Sequence, residues 1–136
     1  MMTISSISEM DMTLIANVLV VEDDKVSADL MADLLDTMGY AATCKRSAEE
    51  ALAHLRAGAP CDVVLTDIVL PGMGGLELMR RAEEARGAVP VILVSGKVEG
   101  VTAAMNLGKL ALTKPITRTR LASVLDAAIG TTARNS

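Results

Sequence analysis

The stretch VVLTDIVLPGMGG, residues 63–75, decides the fold. Its first half is aliphatic and β-branched with no polar face. It ends on a bare carboxylate, Asp67, and then passes through Pro71 and three glycines. A short apolar run without alternation suits a strand buried on both sides, as in a parallel sheet covered by helices. Asp67 is then either the start of an Asx-turn or a chemical group held at the rim of a sheet.

Working outward, NVLVVE (17–22) and PVILVS (90–95) have the same character, and YAATC (40–44) and LALT (110–113) are weaker strand candidates. Amphipathic helices are predicted between them. In the first, Val26, Leu30, Leu34 and Met38 recur every four residues and Gly39 is the stop. The second opens on a capping box, Ser47 to Glu50, with Leu52 and Leu55 facing inward. The third runs from about Gly75 with Leu76, Met79 and Ala82 on one face. The last starts at Thr117 and buries Leu121, Val124, Leu125 and Ile129. Gly96, Gly100 and Gly108 punctuate the segment after Ser95, so a helix there is short. Five βα units in succession make an α/β domain with an open, doubly wound, five-stranded parallel sheet and helices on both faces. The domain spans 17–130, with tails at 1–16 and 131–136.

The 136 residues suffice for one domain with a real core. Tyr40 is the sole aromatic, so that core is aliphatic, with nine methionines filling gaps. A net charge of −4 and the lack of a basic block argue against nucleic acid as a partner. Cys44 and Cys61 lack metal-ligand or CxxC spacing and read as buried, reduced thiols. The N-terminus has no basic region ahead of its apolar residues, and no run is long enough to span a bilayer. A cytoplasmic protein without a membrane role is expected, and the short polar end TTARNS suggests a complete small protein.

Ligands of open α/β sheets bind beyond the carboxyl ends of the strands. Here those ends carry Glu22-Asp23-Asp24, Asp67, Ser95 and Lys114-Pro115. Taken singly, each has an ordinary explanation as helix cap, turn residue or surface charge. Jointly, capping does not call for three acids, a hydroxyl and a lysine at four strand ends. Clustered carboxylates resist ionisation without a countercharge. A divalent cation supplies one, and Mg²⁺ (or Mn²⁺) takes one or two carboxylates plus a phosphate oxygen. Such a site suits phosphoryl transfer to a carboxylate.

VLVVEDD, VVLTDIVLPGMGG, VILVSG and LTKP, in that order over roughly 17–130, resemble the receiver domains of two-component response regulators. The resemblance implies a flavodoxin-like strand order, 2-1-3-4-5. It makes Asp67 the phosphoacceptor, Asp23 a direct metal ligand, Glu22 an acid acting through metal-bound water, and Val69 a backbone-carbonyl ligand. Ser95 then contacts the phosphoryl group, Lys114 is the site lysine, and Lys114–Pro115 is cis. Asp24 fits better as a helix cap. The implied function is a phosphoacceptor, not an enzyme in the usual sense. It takes phosphoryl from a histidine kinase or histidine phosphotransfer protein, hydrolyses it slowly and signals through protein contacts.

Two features depart from the family. Ala111 stands where an aromatic usually precedes the lysine, and Ser95 to Lys114 is shorter than in the commonest receivers, which shortens the fourth helix. The glycines and the missing ring motivate the expectation that segment 97–109 is short and mobile and that its ordering after phosphorylation is the signal. Val69, two past Asp67, is apolar and would hinder an attacking water, whereas Lys97, two past Ser95, would contact phosphoryl oxygens. A haloacid-dehalogenase-type hydrolase needs a second acid at the position of Val69, which is absent. A degenerate receiver acting purely as an interaction module is the other alternative. His54 reads as a plain helical histidine.

Overall fold

Strands and helices alternate along residues 16–130, which are the residues described by the computed structural model. Apart from Ala16, the expected tails lie outside them. The order is β1 (Asn17–Val21), α1 (Lys25–Thr37), β2 (Ala41–Lys45), α2 (Ala48–Arg56), β3 (Val63–Asp67), α3 (Gly75–Arg86), β4 (Val91–Ser95), α4 (Val98–Asn106), β5 (Leu110–Thr113) and α5 (Arg118–Leu125), which runs on into a π-helical turn, Asp126–Gly130. All four strand pairings are parallel and the sheet order is β2-β1-β3-β4-β5. The topology is the flavodoxin-like one that the resemblance implied.

Residue alternation along the central strands feeds two cores. Leu19, Val21, Val64 and Leu93 pack with Leu52 and Leu55 of α2 and Leu78 of α3. Val18, Val20, Leu65 and Ile92 pack on the other face with Leu35 of α1 and with Leu121 and Leu125 of α5. Because both faces are covered, β3 and β4 are buried at every position. This is the physical origin of their uninterrupted apolar sequence.

The helices correct several details. Val26 and Leu30 are 66 % and 64 % exposed, and the buried residues of α1 are Ala28 and Leu35. A strict four-residue spacing advances about 40° per step around a 3.6-residue helix, so the expected row winds off the core. On α3 Leu78 and Ala82 are fully buried and Met79 packs against the core, as read for the last two, while Leu76 is exposed. Cys61 is buried as expected, but Cys44 is exposed on the edge strand β2; both are free. The capping residues behave as read. Asp24 accepts the Ser27 amide at 2.9 Å, Ser47 that of Glu50 at 3.1 Å, and Thr117 that of Arg120 at 3.2 Å. The fourth helix is nine residues long, anchored by Val101 and Ala104.

The join between β3 and α3 is tight. The Gly75 amide donates to the Ile68 carbonyl at 2.9 Å, and a Cβ on Gly75 would lie 2.1 Å from the Asp67 carbonyl oxygen. Only glycine lets α3 start this close to the strand that carries Asp67. Gly75→Ala forces backbone apart and is expected to cost about 3 kcal/mol. Urea unfolding followed by far-ultraviolet circular dichroism measures that loss.

Candidate functional site

Four strand ends deliver the site. Glu22 follows β1, Asp67 ends β3, Ser95 ends β4, and Lys114 follows β5. Glu22 and Asp67 are buried while Asp23 is exposed, and one carboxylate oxygen from each lies within 4.8 Å of the others. Lys114 Nζ sits 3.1 Å from Glu22 Oε1 and 3.1 Å from Asp67 Oδ1. The Lys114 amide donates to the Ser95 carbonyl at 2.8 Å, which continues the β4–β5 ladder into the site. The Lys114–Pro115 bond is cis.

Ser95 is buried, and its Oγ accepts the Lys97 amide at 3.0 Å. α4 approaches it closely: a Cβ on Gly100 would stand 3.1 Å from Ser95 Oγ. Val69 lies in the loop after Asp67 with its side chain 77 % exposed. Asp24 accepts at the α1 N-terminus and also donates its amide to Glu22 Oε2 at 3.1 Å, so one residue caps the helix and orients an acid. His54 is half-buried, with Nε2 3.2 Å from the Pro60 carbonyl, and faces away from these groups as a local structural contact. A groove of about 490 Å³ opens from Glu22, Asp67 and Lys114 and runs between Leu30, Met31 and Leu34 of α1 and Ile116.

Two contacts escaped the sequence reading. Arg46 donates twice to the Asp23 carbonyl, and Glu49 accepts the Met73 amide. They join residues 23 and 24 positions apart, and the only sequence signal was a pair of charges flanking the Ser47 cap. Thr66 is also fully buried at the site, with Oγ1 donating to the Asp67 carbonyl at 3.0 Å.

The acids are electrostatically unequal. Burial, reinforced by the neighbouring Glu22, pushes Asp67 up to about 7, with Lys114 opposing. Burial pushes Glu22 up as well, but hydrogen bonds from Asp67, the Asp24 amide and Lys114 outweigh it and hold Glu22 below its usual range. Burial acts to lower Lys114, yet its two carboxylate partners raise it. Beside one ammonium, Asp67 is thus the acid that resists ionisation and Glu22 the one that ionises readily. Three carboxylates against that single ammonium leave excess negative charge on hard oxygen donors, with Asp23 open to water. This donor set fits a hydrated Mg²⁺.

The raised Asp67 has a consequence for metal-free protein. The folded chain keeps a proton there up to about 7, whereas an unfolded aspartate releases it near 4. The folded state therefore binds more protons between those values, and this contribution to stability falls as pH rises through them. With a chelator present, Asp67→Asn is expected to be more stable than the unmodified protein at about pH 8, with a smaller gap at about pH 5. Urea titrations at both pH values check this; a gap that does not change contradicts it.

Comparison with known proteins agrees with this geometry. The family model described as the response regulator receiver domain matches residues 18–126. The sensory transduction protein RegX3 of Mycobacterium tuberculosis is 44% identical over 82 residues, which is 60% of this chain and 35% of that protein. The transcriptional regulatory protein FixJ of Bradyrhizobium diazoefficiens is 31% identical over 121 residues, covering 87% of this chain and 58% of FixJ. The chain thus spans about a third of the length of curated relatives such as RegX3. Among solved structures, a response regulator receiver domain protein from Clostridium thermocellum superposes with a TM-score of 0.79 at 25% identity, covering 90% of this chain and 100% of that one. With the strand order, the rim of acids and the lysine already in place, these matches establish that the chain belongs to the response regulator receiver domain family.

Proposed function

We propose that Asp67 accepts a phosphoryl group from the phosphohistidine of a kinase or histidine phosphotransfer protein, and that the modified chain signals through protein–protein contacts. The observation that carries this reading is the convergence of Glu22, Asp23 and Asp67 with Lys114 Nζ at 3.1 Å from two of them. In the transfer, an Asp67 carboxylate oxygen forms a bond to phosphorus as the histidine nitrogen–phosphorus bond breaks, and the ring nitrogen keeps the electron pair and takes up a proton. Reaction requires ionised Asp67, so the burial and the neighbouring Glu22 that raise its pKa must be countered. Glu22, Asp23, Asp67 and the Val69 carbonyl would hold Mg²⁺ (or Mn²⁺), which supplies charge neutralisation for carboxylates and phosphoryl oxygens when bound.

The protein's own groups do the remainder. The Lys114 ammonium already lies on Asp67 and would pair with a phosphoryl oxygen once that carboxylate becomes an acyl phosphate. Ser95 Oγ, now an acceptor for the Lys97 amide, carries a hydroxyl proton free to donate to the phosphoryl group. Return to the unmodified state is slow hydrolysis of the acyl phosphate. Exposed Val26 and Leu30 beside the groove support docking of an apolar surface of the phosphodonor. Exposed Val98, Met105 and Leu107 on and after α4 support readout through a second partner face. Among the described residues no helix is long and apolar enough to cross a membrane; a cytoplasmic site of action is proposed on that basis together with the family.

Incubation with acetyl phosphate and Mg²⁺ is expected to add one phosphoryl group to Asp67, found by intact-mass and peptide mass spectrometry. Asp67→Asn abolishes the addition, and a chelator suppresses it. Label on another residue overturns the assignment. Lack of uptake from acetyl phosphate and from every kinase of the source organism favours a phosphorylation-independent module instead. Amide exchange tests the readout: with a phosphoryl mimic such as beryllofluoride, residues 97–109 are expected to gain protection. Strong, equal protection with and without the mimic removes this segment from the signalling path.

A further inference from the structure

Both acid-bearing loops are held from one place outside the site, the junction between β2 and α2. Arg46, the residue after β2, points its guanidinium at the main-chain carbonyl of Asp23, with Nε at 3.1 Å and Nη2 at 2.8 Å. Three residues on, in the first turn of α2, Glu49 Oε2 accepts the Met73 amide at 3.1 Å. The same oxygen lies 2.9 Å from where a Cβ on Gly72 would stand, and Gly72 has a φ of +76°. The loop therefore folds over Glu49 at a position that a side chain would obstruct. The Met73 amide is the foremost cause that holds the Glu49 carboxyl below its usual range.

Among the described residues no other side chain hydrogen-bonds the outer backbone of the β3–α3 loop, whose Leu70 and Met73 side chains pack on the core. α3 begins after Gly74, which makes no side-chain cap bond. The inner side is fixed by the Gly75–Ile68 bond and by close packing on the Asp67 carbonyl. On the other loop, a two-pronged guanidinium sets the direction of the Asp23 carbonyl as well as its distance. Neither Arg46 nor Glu49 touches a site carboxylate; each holds backbone.

We propose that Arg46 and Glu49 are paired positioning residues, a brace from the β2–α2 junction that sets the spacing of the Asp23 loop and the Val69-bearing loop for a divalent cation. This deepens the metal-dependent reading above and rests on it. Its physical content is an opposition of signs. By charge alone, a guanidinium near an acidic site opposes cation binding, so its removal would tighten Mg²⁺. As a brace, its removal loosens the site and weakens Mg²⁺.

The test is Mg²⁺ titration of the full chain, read from backbone amide resonances, since there is no tryptophan to report. Arg46→Ala and Glu49→Ala are each expected to weaken Mg²⁺ binding about five-fold, the size of one lost net hydrogen bond. Arg46→Lys, which lacks the fork, stays weak. Glu49→Gln keeps an acceptor oxygen without the charge and restores near-normal affinity. In metal-free protein the Met73 amide exchanges faster in Glu49→Ala than in Glu49→Gln. Both side chains are exposed, so the variants are expected to fold, which circular dichroism confirms. Tighter or unchanged binding in Arg46→Ala, or Glu49→Gln behaving like Glu49→Ala, overturns the brace while the metal reading stands. Unmodified protein that takes up no Mg²⁺ overturns both.

Discussion

Lys114 reaches two buried carboxylates at once, and the upper edge of the sheet is arranged so that it can. Its strand, β5, lies two positions from β3 and three from β1. With strands about 4.8 Å apart, the gap from β5 to β3 is on the order of 10 Å, closed by the extended Lys114 side chain, the Asp67 side chain and the contact between them. The lysine crosses the end of β4, which carries a short residue, Ser95. A long side chain there would block the path. The register that pairs Ser95 with Thr113 puts Lys114 one step beyond, at the height where the ammonium meets the acids. Without this contact, Glu22 and Asp67 would be two mutually repelling acids in a desolvated corner, a costly arrangement.

The sheet was legible in the sequence because it is buried on both faces. Val63–Leu65 and Val91–Val94 read as strands since no polar face interrupts them. The strand-end residues were legible for a related reason: a charge after such a run has nowhere to go but the rim. The helix faces were read less well. Leu78 was passed over for Leu76, and Val26 and Leu30 were placed inside, because a row of apolar residues does not reveal which side meets the sheet. Cys44 was misplaced because β2 lies at an edge, where one flank stays open to water. Arg46 and Glu49 were invisible since their partners are backbone groups, which every residue possesses and no sequence pattern marks.

The site is thus built in two ways. Its chemistry comes from side chains at four strand ends, fixed by a rigid, doubly covered sheet. Its spacing depends on loops that are tied down from α1 by Asp24, and from the β2–α2 junction by the two charged residues flanking Ser47. The first kind of constraint is stiff because moving a strand disturbs both cores. The second consists of exposed hydrogen bonds of modest strength, each replaceable without disturbing the interior. Under the proposed reading, affinity for a divalent cation is therefore set at the surface, apart from the strand ends that hold Asp67.

Gly100 and Ala111 together give the fourth helix an unusual relation to the site. The backbone of α4 rests almost directly on the Ser95 hydroxyl, and no ring stands on β5 behind it. Interiors tolerate few gaps, because atoms lining an unfilled space lose their attractive contacts. If the hydroxyl rotates towards a modified Asp67, it vacates volume beneath Gly100 that no aromatic plane can sweep in to occupy. Refilling that space falls to its immediate neighbours, the first turn of the helix and the Ile68 side chain. Where the helix turn responds, motion of a few atoms becomes displacement of main chain, with leverage set by how closely a residue lacking a side chain allows two segments to touch.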